Sequence, residues 1–206
     1  MVNYLFRYII VTFILLIITG CTSQIGDNRG DEEEKMTKVL LIVSQKNFRD
    51  VELLTPEKIL KEKGFKVDVA SIEAGKAYGA EGHVVDVISV KDVGFEDYDF
   101  IGLIGGPSAL SLEKSEVMNL MQNAYEAGKQ IGAICIASIV LAKAGLLDDV
   151  KATVWEAPDG STKKELEDHG ATFVSEKIVY DKNILTGNGP GASEEWGKKI
   201  VEILEQ

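Results

Sequence analysis

The chain is poor in the residues that build metal and nucleic-acid sites. Two cysteines and two histidines stand among its 206 residues. Neither cysteine lies in a CxxC or a Cys/His cluster, and His83 and His169 are far apart, so no metal site is expected. Basic clusters are missing as well. Lys and Arg number 22 against 33 Asp and Glu, for a net charge of −11. No nucleic-acid partner is expected from that balance, because such binding rests on neutralised phosphates. No internal repeat is visible. The longest apolar run, residues 8–18, is short for a helix that crosses a bilayer.

That run fits a secretory signal better. Residues 1–20 carry Arg7 ahead of the apolar stretch and end Ile17-Ile18-Thr19-Gly20-Cys21. The ending resembles a bacterial-type lipobox, with cleavage before Cys21 and a diacylglycerol on its sulfur. An uncleaved signal anchor is the other reading. Either would tether the protein to the membrane, outside the cytoplasm. Residues 21–35 include Asp31-Glu32-Glu33-Glu34 and read as an acidic, flexible tether. Met36 would itself serve as a start, and a product begun there would be cytoplasmic. Residues 36–206 are left as one α/β domain of ordinary size.

Within that domain, strands alternate with helices. The apolar runs 39–43, 99–104 and 130–134 read as strands buried on both faces. A helix starting within residues 48–55 and ending at Gly64 leads into a strand at 66–71, which makes a βαβ unit. Pro56 is expected in the first turn of that helix. Residues 78–90 suggest a hairpin. Ser115 is expected to cap a helix that runs to Ala127. Short strands at 152–154, 172–174, 178–180 and 184–186 and helices at 161–169 and 192–204 complete the chain. The alternation predicts a doubly wound, mostly parallel sheet with helices on both faces. Ligands bind such folds beyond the carboxyl ends of the strands.

One stretch organises the rest. Residues 130–134 are strand-like and 136–144 helix-like, with no turn dipeptide between them, so the change of structure falls at Cys135. Two readings of Cys135 stand. It is a small apolar residue packed in the core, or it is a nucleophile on a strand-to-helix elbow. On the second reading the N–H groups opening the helix favour its thiolate. The glycine-rich segment 187–191 is either a phosphate cradle or a tight backbone turn.

Several spaced segments together resemble one family. They are Asn47-Phe-Arg-Asp-Val-Glu52-Leu-Leu-Thr-Pro56, Gly64-Phe-Lys-Val-Asp-Val-Ala70, Gly105-Gly106, Ala133-Ile-Cys135 and Gly189-Pro-Gly-Ala-Ser193. In order, they resemble the ThiJ/PfpI (DJ-1/PfpI) superfamily of class I glutamine-amidotransferase-like proteins, from Met36 to the C-terminus. The resemblance implies a flavodoxin-like α/β sandwich, a homodimer or higher homo-oligomer, and no cofactor. It implies Cys135 as the reactive cysteine and Glu52 as the carboxyl beside it. It implies the backbone N–H groups of Gly106 and Ile136 as oxyanion donors. A carboxyl under cover beside a thiolate resists ionising, and the two would titrate as a coupled pair.

The chain also departs from the family. Protease-type members carry a histidine directly after the cysteine, where this chain has Ile136. They use an acid soon after the Gly-Gly turn, where Pro107-Ser108-Ala109-Leu110 offers none. Deglycase-type members place a histidine near the pocket where this chain has Trp155 or a neighbour, and His83 and His169 read as surface residues. A PfpI-type peptidase is thus the reading most weakened. The resemblance implies glyoxalase- or deglycase-type hydration of small reactive carbonyls. The alternatives are a non-enzymatic oxidative-stress sensor or binding protein that uses the same cysteine, and a scaffold without chemistry.

Overall fold

In a computed structural model, the structure describes residues 36–206. The predicted signal, Cys21 and the acidic tether lie outside the described residues. Among the described residues no helix is long and apolar enough to cross a membrane.

The first apolar run forms β1 (Lys38–Ile42), and a short β2 (Lys46–Phe48) follows before α1 (Asp50–Glu62). Next come β3 (Lys66–Ser71) and the hairpin of β4 (Gly75–Gly79) and β5 (Val84–Ser89). Then follow β6 (Phe100–Leu103), α2 (Ser115–Glu126), β7 (Gln130–Ile134) and α3 (Ser138–Lys143). The chain closes with β8 (Lys151–Ala152), α4 (Ser161–Asp168), β9 (Thr172–Phe173), β10 (Ile178–Asp181), β11 (Ile184–Gly187) and α5 (Ser193–Leu204). Nine strands make one sheet in the order β10-β11-β7-β6-β1-β3-β5-β4-β2, while β8 and β9 form a separate pair. From β11 to β5 every neighbouring pair is parallel. This is the doubly wound, flavodoxin-like α/β sandwich expected from the sequence.

Each central strand feeds both faces, as a parallel sheet covered by helices requires. Leu40 and Ile42 of β1 join the core with α2 and α3, whereas Val39 and Leu41 join the core with α1 and α5. The α5 side depends on two missing side chains. Gly102 of β6 and Gly132 of β7 are register partners. A Cβ on Gly102 would stand 2.8 Å from the Trp196 ring, and one on Gly132 would stand 2.8 Å from Phe100. The bare patch admits the fully buried Trp196 from α5, whose ring meets Phe100 edge-on at 5.7 Å.

Local details correct the sequence reading. Pro56 is not in the first turn of α1, because the helix already begins at Asp50. Proline has no N–H to give Glu52's carbonyl, and the helix tolerates this because Pro56 packs on α5, where a Cβ on Gly197 would stand 2.9 Å from Pro56 Cα. Ser115 is the first helical residue of α2, not its cap; the extended residue is Lys114, and the Ser115 hydroxyl bonds Glu116 at 3.1 Å. The strand foreseen at 152–154 stops at Ala152. There Thr153 leaves the ladder, donating its N–H to Thr186 Oγ1 and its hydroxyl to Glu176 O, each at 3.0 Å. The helix foreseen from Ile136 opens as a 3₁₀ turn, Cys135–Ala137, and becomes α-helical only at Ser138.

The sheet order reverses between β1 and β6, and the loops that leave these strands and β7 meet at their carboxyl ends. Trp196→Ala is expected to lower stability by about 3–5 kcal/mol, read as a fall in the urea midpoint at unchanged slope.

Candidate active site

The site is built from three loop ends and the first turn of α1. Cys135 directly follows β7 and takes a left-handed backbone with φ 63°. A residue other than glycine is uncommon there and strained. It is 5% exposed, and its remaining surface lines a cavity of about 280 Å³. Arg49, Gly106, Pro107, Ile136, Trp155 and Pro190 complete the lining. Cys135 thus sits in the core and opens on a cavity at once, so the two sequence readings of it are not exclusive.

Glu52 lies beneath, fully buried in the first turn of α1. What brings it to Cys135 is the bareness of Gly105. A Cβ there would stand 2.5 Å from Cys135 Cβ and 2.5 Å from Glu52 Oε2. Gly106 is needed for a second reason. Its φ is +118°, and a Cβ would stand 2.4 Å from Arg49 N. The loop before α1 closes onto this turn through Arg49 N–H donating to Gly105 O at 3.0 Å.

The electrostatics of the pair follow from burial. Neither carboxyl oxygen of Glu52 makes a hydrogen bond of good geometry. Burial pushes this carboxyl up to about 7, against the weaker pull of the nearby thiol, the Arg49 charge and the Gly105 N–H. Burial and then the Glu52 charge push the Cys135 thiol up to about 12, while the backbone N–H groups of Ile136 and Gly106 draw it down. The easily ionised thiol expected from the sequence is therefore not what the resting site holds. The sulfur is covered, the following α-helix starts two residues later than expected, and a carboxylate faces it. The two groups behave as one unit. Its first proton leaves near 7 and its second is resisted strongly, so at neutral pH the pair is a mixture of neutral and singly charged forms and is rarely doubly charged.

The structure brings Cys135, Glu52, Gly106 and Ile136 to one place. Neither histidine lines the cavity. His169 Nδ1 lies 2.8 Å from Glu165 O, and His83 is held by its backbone N–H on Asp50 Oδ2 at 3.2 Å. Trp155 does line it. The 187–191 segment forms a tight turn against the site, since a Cβ on Gly189 would stand 3.1 Å from Trp155 and 3.7 Å from Cys135 Sγ. Sequence reasoning assigned nothing to Arg49, Pro107 or Pro190. Arg49 and Pro190 lay inside quoted motifs, but only the fold shows that they share a wall.

A model of the DJ-1/PfpI family matches residues 37–203. Protein MJ0967 of Methanocaldococcus jannaschii is 31% identical over 201 residues, 96% of each chain. Deglycase TK1284 of Thermococcus kodakarensis is 30% identical over 168 residues, 80% of this chain and 98% of its own. The glutathione-independent glyoxalase DJR-1.2 of Caenorhabditis elegans is 26% identical over 168 residues, 81% of this chain and 88% of its own. Among solved structures, a ThiJ/PfpI domain protein from Brachyspira murdochii superposes with a TM-score of 0.78 at 24% identity, over 82% of this chain and 98% of its own.

A carboxyl raised on folding from 4.5 to about 7 binds its proton more tightly in the folded state. Folding is then favoured below the unfolded value, and that advantage disappears as pH rises through about 7. Between pH 5 and pH 8 the protein is expected to lose up to about 3 kcal/mol on this account. Urea unfolding at the two pH values checks it, and Glu52→Gln is expected to remove most of the loss.

Proposed function

The chain belongs to the DJ-1/PfpI family, and on that premise we propose that it hydrates small 2-oxoaldehydes through Cys135, in the manner of a glyoxalase or deglycase. The observation that supports this most is the buried Glu52 beside a strained, cavity-lining thiol, with two backbone N–H groups facing the sulfur. Relatives named deglycase and glyoxalase support the same class of chemistry.

Each step uses a group already placed. The thiol proton moves to Glu52, and the thiolate adds to the aldehyde carbon. The oxygen of the adduct sits on the N–H groups of Gly106 and Ile136 and takes a proton to give a hemithioacetal. Glu52, again a carboxylate, carries the C1 proton to C2, and the C1 hydroxyl proton passes to the C2 oxygen. One carbonyl is oxidised as the other is reduced, so no outside redox partner is required. Water cleaves the thioester, releasing a 2-hydroxy acid and the thiol. An acid near 7 can both hold and give up a proton at neutral pH, whereas an ordinary glutamate is a poor acid there.

Proteolysis has less support, because Ile136, not a histidine, follows the nucleophile and lines the cavity. The sensor reading has less support too, because relatives whose names state an activity are named deglycase and glyoxalase. The leader would tether this chemistry to the membrane, outside the cytoplasm. The Methanocaldococcus match supports the leader as part of the protein, since it spans 96% of this chain and so runs into it.

Incubation with methylglyoxal is expected to yield lactate. Cys135→Ala should abolish the reaction, and Glu52→Gln should lower kcat about 10²–10⁴-fold; turnover equal to the Cys135→Ala control would sink the reading. Detergent-phase partition checks the anchor, with full-length protein expected in the detergent phase and Cys21→Ser in the aqueous phase.

A further inference from the structure

Arg49 alone among the described cavity-lining residues carries a fixed charge. The other walls are mostly apolar, built from Pro107, Ile136, Trp155 and Pro190. The guanidinium is only partly used. Its Nη1 pairs with Glu81, while its Nε is buried with no hydrogen-bond partner. A buried donor without an acceptor is costly, so the Glu81 pair leaves the guanidinium short of its full set of partners. The side chain is 35% exposed, so the group is reachable from outside.

We propose that Arg49 makes this site select carbonyl compounds that carry a carboxylate. The proposal rests on the reading of Cys135 as the nucleophile toward the carbonyl. The flat guanidinium fork matches a carboxylate in geometry as well as charge. The cavity, at about 280 Å³, lies below the roughly 300–1,000 Å³ of sites for drug-sized ligands, which suits a substrate of a few carbons. One end of such a substrate meets the cation while its carbonyl meets the sulfur.

Glu81 is the internal competitor. It holds Nη1 and accepts the Asp50 N–H at 2.9 Å from a half-exposed position, with 45% of its side chain exposed. Glu52 adds a second acid within reach of the Arg49 charge. The chain as a whole, at −11, repels anions. Selection for a carboxylate must therefore be local, and it falls on the edge of the guanidinium that Glu81 leaves free.

Two alkylating reagents of nearly equal size test this on the full chain. Iodoacetate and iodoacetamide each give up iodide as the Cys135 sulfur bonds their methylene carbon, and only the first is charged. Peptide mass spectrometry reads both rates at Cys135. Their ratio cancels the thiolate fraction, which Arg49 also influences. Arg49→Gln is expected to lower the iodoacetate-to-iodoacetamide ratio about tenfold. Arg49→Lys should recover part of it, and Glu81→Gln should raise it above wild type. A ratio within about twofold of wild type in Arg49→Gln, or no labelling of folded protein by either reagent, overturns the proposal. Lactate formation from methylglyoxal is scored separately. Turnover with an unmoved ratio removes the role of Arg49 and keeps the carbonyl chemistry. A moved ratio without turnover does the reverse.

Discussion

Two negative charges cannot share a dry space at modest cost, and the carboxyl edge of this sheet is arranged around that fact. Glu52 and Cys135 lie on either side of Gly105, which has no side chain to separate them. Covered from water and close together, they keep at least one proton between them near neutrality. The proton is then available for transfer inside the site. A single methyl group at position 105 would collide with both partners. The loop before α1, the Gly105–Gly106 turn and the end of β7 must therefore be fitted together before any chemistry is possible.

Much of the fold is legible in the sequence because its central strands are buried on both faces. Continuous apolar runs such as 39–43 and 130–134 have few other solutions, and the glycine at 64 stops its helix where expected. Legibility fails where pairing is made by few residues. β2 has three residues, two of them exposed, and pairs only with β4 at the sheet edge. Thr153 abandons its strand for side-chain partners on Thr186 and Glu176 that no local pattern announces. Pro56 misled because its missing N–H suggests a helix start, whereas contact with α5 lets it sit further in.

At the site, the four residues named from motifs do converge, yet the charge state of the sulfur was not legible. A strand–Cys–helix pattern suggests helix N–H groups ready for an anion. It is silent on the 3₁₀ turn that delays the helix and on the depth of burial. Arg49 was invisible for a related reason. Its place on the cavity wall is fixed by its N–H donating to the Gly105 carbonyl, a contact between segments far apart in sequence. Neither histidine lines the cavity, and on the proposed function proton transfer falls to Glu52, whose burial puts its pKa where a histidine's would be.

The left-handed backbone of Cys135 sets stability and activity against each other. At φ 63° the chain favours a residue with no Cβ, so glycine would relax the turn that the thiol holds under strain. On the proposed function, drift toward a sturdier molecule would therefore erase the nucleophile first. On the same reading, the turn gives up stability to keep a sulfur on the cavity wall.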